Sequence, residues 1–172
     1  MFYDATIDEG WVKQEIDKQF KQRLTEQNTW ESETDFDRLT QVFDNLNSSG
    51  IIALHKAGNT RQDGEGDTRE IYEQLKAKGI KARGYCFYHT QDMDRVIGGY
   101  NLFLAFGDFE MNDRLGTDIG EEIVVALHEK GFVTDWNGSI NNRIEVVGLK
   151  WHKRLGNDNC SNEKAIQLLS KQ

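Results

Sequence analysis

Three short segments gather the side chains that could do chemistry. His55 stands with Asn59, Arg61 and Asp63; Cys86 with His89, Gln91, Asp92 and Arg95; and Trp151 with His152 and Arg154. Two imidazoles and a nearby carboxylate are the parts of a general acid, a general base and an orienting group, because imidazole titrates near neutrality and needs a fixed tautomer to act. The candidate catalytic set is therefore His55, His89, Asp92 and Arg95, with Arg95 or Arg61 available to hold an anion. It requires the strands ending at His55 and His89 to be parallel neighbours whose imidazoles emerge together. The plainer reading is that His89 and Asp92 finish a strand and begin a helix, where a carboxylate suits the first turn.

Other chemistries lack their signatures. Asp63, Glu65, Asp67 and Glu70 open like a calcium loop, but counting from Asp63 the sixth residue is Thr68, where the turn needs glycine. The twelfth is Gln74, where a bidentate carboxylate is needed. His55, Cys86 and His89 are zinc-ligand types without CxxC or HExxH spacing, so no metal is expected. Gly64-Glu65-Gly66 and Gly98-Gly99 lack the residues of a phosphate loop, and no GxSxG elbow exists, so no cofactor is expected. Two cysteines, Cys86 and Cys160, are too few for a disulfide framework, and Cys86 reads as a small buried hydrophobe.

The charge balance is more informative. The chain carries a formal net charge of −8, a field that repels phosphate backbones, so direct nucleic-acid binding is not expected. Residues 1–50 hold eleven acids against five bases, which places most of the excess there. Trp11 and Trp30 lie among those acids, and an exposed tryptophan beside carboxylates is a good anchor for a basic protein. The candidate partner-binding residues are Asp8, Glu9, Trp11, Glu15, Asp17, Trp30, Glu31, Glu33, Asp35 and Asp37.

The elements that would position these groups follow from periodicity and punctuation. With 172 residues and no proline or linker, one α+β domain is expected over 1–172, divided into an acidic helical pair at 1–50 and a sheet-containing portion at 51–172. Ile7, Trp11, Ile16, Phe20 and Leu24 recur every four or five positions and predict a helix to about Asn28. Phe36, Leu39, Val42, Phe43 and Leu46 predict a second, capped at Ser32 with Asp35, ending at Gly50. Strands are expected at 51–55, 80–89 and 102–106, the last buried on both faces, with an antiparallel pair at 132–136 and 143–149. Helices are expected to start at Asp67, Thr90, Thr117 and Ser161, the third with Ile119, Ile123 and Leu127 as its packing face, and a polar loop is expected at 56–66. Together these give a mixed, largely antiparallel sheet of about five strands with helices packed on it. No apolar stretch approaches the ~18 residues of a membrane span, and the first ten residues lack a secretory pattern, so a cytoplasmic location is expected.

The stretches ALHKAGNTRQDG (53–64), GYCFYHTQDMDRVIGG (84–99), LFLAFG (102–107) and WHKR (151–154) resemble an uncharacterised family of small bacterial cytosolic proteins. The resemblance implies a bacterial α+β protein with a shared polar edge at His55, Asp63, His89, Gln91, Asp92 and Arg95, and implies no substrate. Two functional expectations stand side by side. One is a small acidic protein-binding domain, with an immunity protein that neutralises a basic nuclease-type toxin as its concrete case. The other is an enzyme acting on a small polar substrate by His/Asp acid–base chemistry. Neither membrane nor nucleic acid is an expected partner, and the residues leave the oligomeric state open.

Overall fold

A computed structural model describes residues 8–171. The expected helix position Ile7 and the acid Asp4 lie outside the described residues. The element order is α1 (Glu9–Gln27), α2 (Asp35–Ser48), β1 (Ile51–Leu54), α3 (Arg61–Ala77), β2 (Gly84–Phe87), α4 (Thr90–Ile97), β3 (Leu102–Asp108), α5 (Asp113–Glu129), β4 (Val133–Asp135), β5 (Ile144–Val147) and α6 (Asn162–Leu169). The five strands form one sheet in the order β1-β2-β3-β5-β4. Among the described residues, β1 and β2 run parallel and the other three pairings are antiparallel. The fold is α+β with a mixed sheet, as the alternation of patterns implied.

Helices cover both faces because strand side chains alternate. Ile51, Ala53, Cys86 and Tyr88 meet Leu39, Val42 and Phe43 of α2 and Ile119, Ile123 and Leu127 of α5. Ile52, Leu54 and Phe87 turn the other way, to Ile71 and Leu75 of α3 and to Ala165 and Leu169 of α6. β3, third of five, is buried along most of its length. The outer edge of β1 is closed by a side chain: the Asn47 amide donates to the Ala53 carbonyl and accepts from the Ala53 N–H, both at 2.9 Å. That satisfies backbone groups which a bare edge strand would leave open.

Several boundaries differ from the sequence expectation. α2 is capped by Thr34 with Asp37, not by Ser32 with Asp35. α3 begins at Arg61 under a Thr60–Asp63 capping box, so most of the expected polar loop at 56–66 is helical. This early start sets Gly64 against Phe87 and the Ala57 carbonyl, where a Cβ would overlap both. The strand expected over 80–89 begins only at Gly84, leaving β2 four residues long. A side chain at Gly84 would come within 2.5 Å of the Gly107 carbonyl oxygen and strike Ile119, so glycine there is what lets α5 press onto the sheet. α5 begins at Asp113 under an Asn112 cap, ahead of Thr117.

The two N-terminal helices differ in kind. α2 buries Phe36, Leu39, Val42, Phe43 and Leu46, as its periodicity predicted. α1 buries none of its residues and leaves Trp11 62%, Ile16 62% and Phe20 52% exposed. At about 100° per residue, Val12, Ile16, Phe20 and Leu24 share a stripe roughly 120° wide, and Trp11 falls on the opposite side. The single stripe expected from Trp11 to Leu24 is therefore two surfaces.

Candidate functional site

Parallel pairing of β1 with β2 meets the condition set for the two histidines, yet their side chains diverge. The register pairs Leu54 with Phe87, so the next residues opposite one another are His55 and Tyr88. His89 is one step further on and starts from the other face of the sheet. Among the described residues no hydrogen bond or ring contact joins His55 to His89. The joint acid–base pair drawn from the sequence is replaced by two separate environments.

His55 enters the aromatic layer under α2. Its ring lies 4.4 Å from Phe43 and 5.6 Å from Phe36, and its Nδ1 is 3.0 Å from the Tyr88 hydroxyl. Nε2 is buried and finds no partner among the described residues. Burial, helped by the positive charges of Lys153 and Lys164, pulls the imidazole down to about 3, so it is neutral in the fold. Tyr88 is pushed up by burial and keeps its phenolic proton.

This environment has a stability consequence with a definite sign. A histidine whose folded pKa lies below its unfolded value of ~6.5 binds protons preferentially in the unfolded chain at lower pH. Its contribution is complete above ~6.5 and declines as pH falls towards 3, by up to about 1.4 kcal/mol per pH unit. His55→Asn keeps a polar partner for Tyr88 but does not titrate. Urea unfolding at pH 7 and 5.5 should therefore show a loss of about 1 kcal/mol in the parent on acidification and a visibly smaller one in the variant. Equal losses in both would refute the assignment.

His89 and Asp92 do come together, with an arginine the sequence reading did not include. His89 is the N-cap of α4: its Nδ1 accepts the Asp92 N–H at 3.3 Å, while the Asp92 carboxylate accepts the His89 N–H at 3.2 Å. His89 Nε2 lies 3.1 Å from Asp92 Oδ2. Since Nδ1 is an acceptor, the proton belongs on Nε2, and both ring nitrogens are committed. Burial draws the His89 pKa down, against the opposing pull of Asp92. Arg143, just before β5, donates from Nη1 to Asp92 Oδ1 at 2.8 Å and Oδ2 at 3.0 Å. Asp92 is almost wholly buried, so the ion pair and the cap satisfy a carboxylate that water cannot reach.

Arg143 also opens onto a surface cleft. Its guanidinium lies 4.9 Å over Phe103, whose ring Arg95 approaches at 5.6 Å while also reaching Tyr100 at 5.7 Å. Arg95 thus serves aromatic stacking beside the cluster. The cleft, about 430 Å³, is bounded by Arg61, Arg143, Asp135, Trp136 and Asn142 among others. Trp136 is fixed there by donating to the Ser139 and Asn142 carbonyls and by packing on Gly120, where a Cβ would come within 2.7 Å of the indole. No spacing between Asp92 and Arg143 signals their pairing; only the turn leading into β5 brings them together. Among the described residues, no group of three or more His, Cys, Asp or Glu side chains is placed to hold a metal ion.

The acidic residues divide in the same way. Asp35 accepts from Arg38 and from the Lys150 N–H, and these contacts hold it below the usual carboxylate range despite burial. Asp37 pairs with Arg154 at 3.1 Å and accepts from Asn157, and Asp44 pairs with Lys164. Trp30 stacks on His152 at 4.4 Å beneath the Arg23 guanidinium. Glu33 accepts from Gln41, and the Glu31 carbonyl accepts from Arg154. Trp151, the third candidate segment, packs edge-on against Phe36 and Tyr88. Thus Trp30, Asp35 and Asp37 are engaged within the molecule. Asp8, which caps α1, together with Glu9, Trp11, Glu15 and Asp17 remains at the surface of the first helix, where Glu15 meets Lys18 at 3.7 Å and accepts from Gln19 at 3.3 Å.

Comparison with known proteins places this geometry in a family. Residues 1–155 match the family described as Domain of unknown function (DUF6891), well over half of the chain and including the N-terminal helices, which carried none of the resemblance noted in the sequence. No curated protein and no solved structure matches the chain. Among the described residues, no helix is long and apolar enough to cross a membrane.

Proposed function

The chain belongs to the DUF6891 family, and we propose that it is a cytoplasmic protein-binding domain that receives a basic protein on α1. An immunity protein that neutralises a nuclease-type toxin is the concrete case. The observation that carries this reading is Trp11, 62% exposed on a helix that buries nothing. Asp8, Trp11 and Glu15 follow the i, i+3, i+7 spacing that sets them on one face. A large indole flanked by carboxylates combines an apolar anchor with charges that steer a cationic surface towards it. The test is affinity capture from cells expressing the natural partner, comparing the parent with Trp11→Ala and Glu15→Lys. A basic protein retained by the parent should elute with salt and bind Trp11→Ala more weakly by about 2 kcal/mol, roughly thirtyfold. Equal retention by parent and variants, or no basic protein retained, overturns it.

A second reading, an enzyme acting on a small polar substrate, draws on the Arg143 cleft. His89 stands behind Arg143 with both ring nitrogens engaged, so it would position Arg143 more readily than move a proton. On that reading His89→Gln abolishes turnover and leaves capture of a basic protein unchanged.

A further inference from the structure

The second surface of α1 is not used by the proposed partner site, and its pattern is self-complementary. Val12, Ile16, Phe20 and Leu24 repeat at intervals of four, the kind of ridge that fits into the groove beside the same ridge of a helix crossing at about −50°. The stripe is centred on position 18, which is also the midpoint of α1 (Glu9–Gln27). A stripe symmetric about the helix centre can meet a copy of itself through a two-fold axis, with Ile16 over Phe20 of the second copy and Val12 over its Leu24. Lys18 lies on the opposite side of the helix and stays out of that contact.

The charges fit one orientation. Beside the stripe, positions 9–17 carry Glu9 and Asp17 against Lys13, while Arg23 is the charge beside it in the second half of the helix. An antiparallel crossing sets the acidic half of each helix towards the basic half of the other, whereas a parallel one sets like against like. The groove at the start of the stripe, about 430 Å³ and bordered by Glu9, Val12, Lys13 and Ile16, is predominantly apolar, so closing it removes hydrocarbon from water.

We propose that α1 is a homodimerisation helix, two copies crossing antiparallel through Val12, Ile16, Phe20 and Leu24. One helix face is smaller than the ~800 Å² per partner of a standard interface, so the dimer is a weak one. It leaves Trp11 outward on each copy, and the pair would present two equivalent acidic surfaces.

Sedimentation velocity over a concentration series tests it. The parent should pass from monomer to dimer, and the double variant Ile16→Glu/Phe20→Glu should remain monomeric at concentrations where the parent is dimeric, with the parent's melting temperature at concentrations where both are monomeric, because α1 buries nothing within the protomer. Orientation is read in a Cys160→Ser background by mixing Ile16→Cys with Phe20→Cys: the mixed disulfide should form faster than either symmetric one. A parent that is monomeric throughout, a dimer that survives both glutamates, or faster symmetric cross-linking overturns the proposal. Capture of a basic protein by the monomeric double variant separates this outcome from that of the partner-binding reading.

Discussion

Asp92→Ala should lower the stability of the fold by about 3 kcal/mol, with a urea midpoint shifted at unchanged m-value and a melting temperature reduced by about 10 °C. The loss has three parts. The buried His89 N–H loses its acceptor, the imidazole loses the carboxylate beside Nε2, and Arg143 loses both of its contacts. Removing one member of a buried pair generally costs about 3–5 kcal/mol because the other charge is stranded. Arg143 retains 28% side-chain exposure and can turn towards water, which keeps the effect at the lower end. Asp92→Asn preserves the shape and part of the hydrogen bonding and should lose roughly half as much. A shift below about 1 kcal/mol for the alanine variant would show that the cluster is not the anchor of the α4 and β5 ends.

Ending the chain at residue 155, where the family match stops, should prevent stable folding. α6 lies outside that match, yet its Ala165 and Leu169 belong to the second apolar cluster with Ile52, Leu54 and Leu75. Leu169 is fully buried, and truncating such a leucine to alanine alone costs about 2–5 kcal/mol. Removing the whole helix also opens one face of β1 and breaks the Lys164–Asp44 pair. Against a total stability of roughly 5–15 kcal/mol, the sum is enough to unfold the domain. The expected result is a chain with no cooperative thermal transition, whereas Leu169→Ala should still fold with a lowered midpoint. A sharp transition in the truncated chain near that of the full one would contradict the assignment of α6 to the core.

The same residues show what was legible in the sequence. α2 and α5 could be read from their apolar spacing because each has one buried face, and burial on one side of a helix imposes that period on the sequence. Caps were harder. Thr34-x-x-Asp37, Thr60-x-x-Asp63 and His89-x-x-Asp92 all form capping boxes, but Ser32/Asp35 and Asp67/Glu70 have the same spacing nearby. Local chemistry permits both of each pair, and contacts such as that of Gly64 with Phe87 select one. In the candidate site, the neighbouring positions of His89 and Asp92 could be seen, since a helix start links them directly. Arg143 could not, because fifty-one positions separate it from Asp92 and its approach depends on how β5 enters the sheet.

From the sequence alone came the α+β class, the central β3, the core faces of α2 and α5, and the surplus of acid in the first fifty residues, all of which depend on residue type and local period. Tertiary structure decided the rest. Side-chain alternation turned His55 towards Tyr88 and away from His89, and folding brought Arg143 onto Asp92, Arg154 onto Asp37 and Lys164 onto Asp44. Side-chain direction in a sheet reverses at every step, and charge pairing depends on distances through space, so neither is recorded in spacing along the chain.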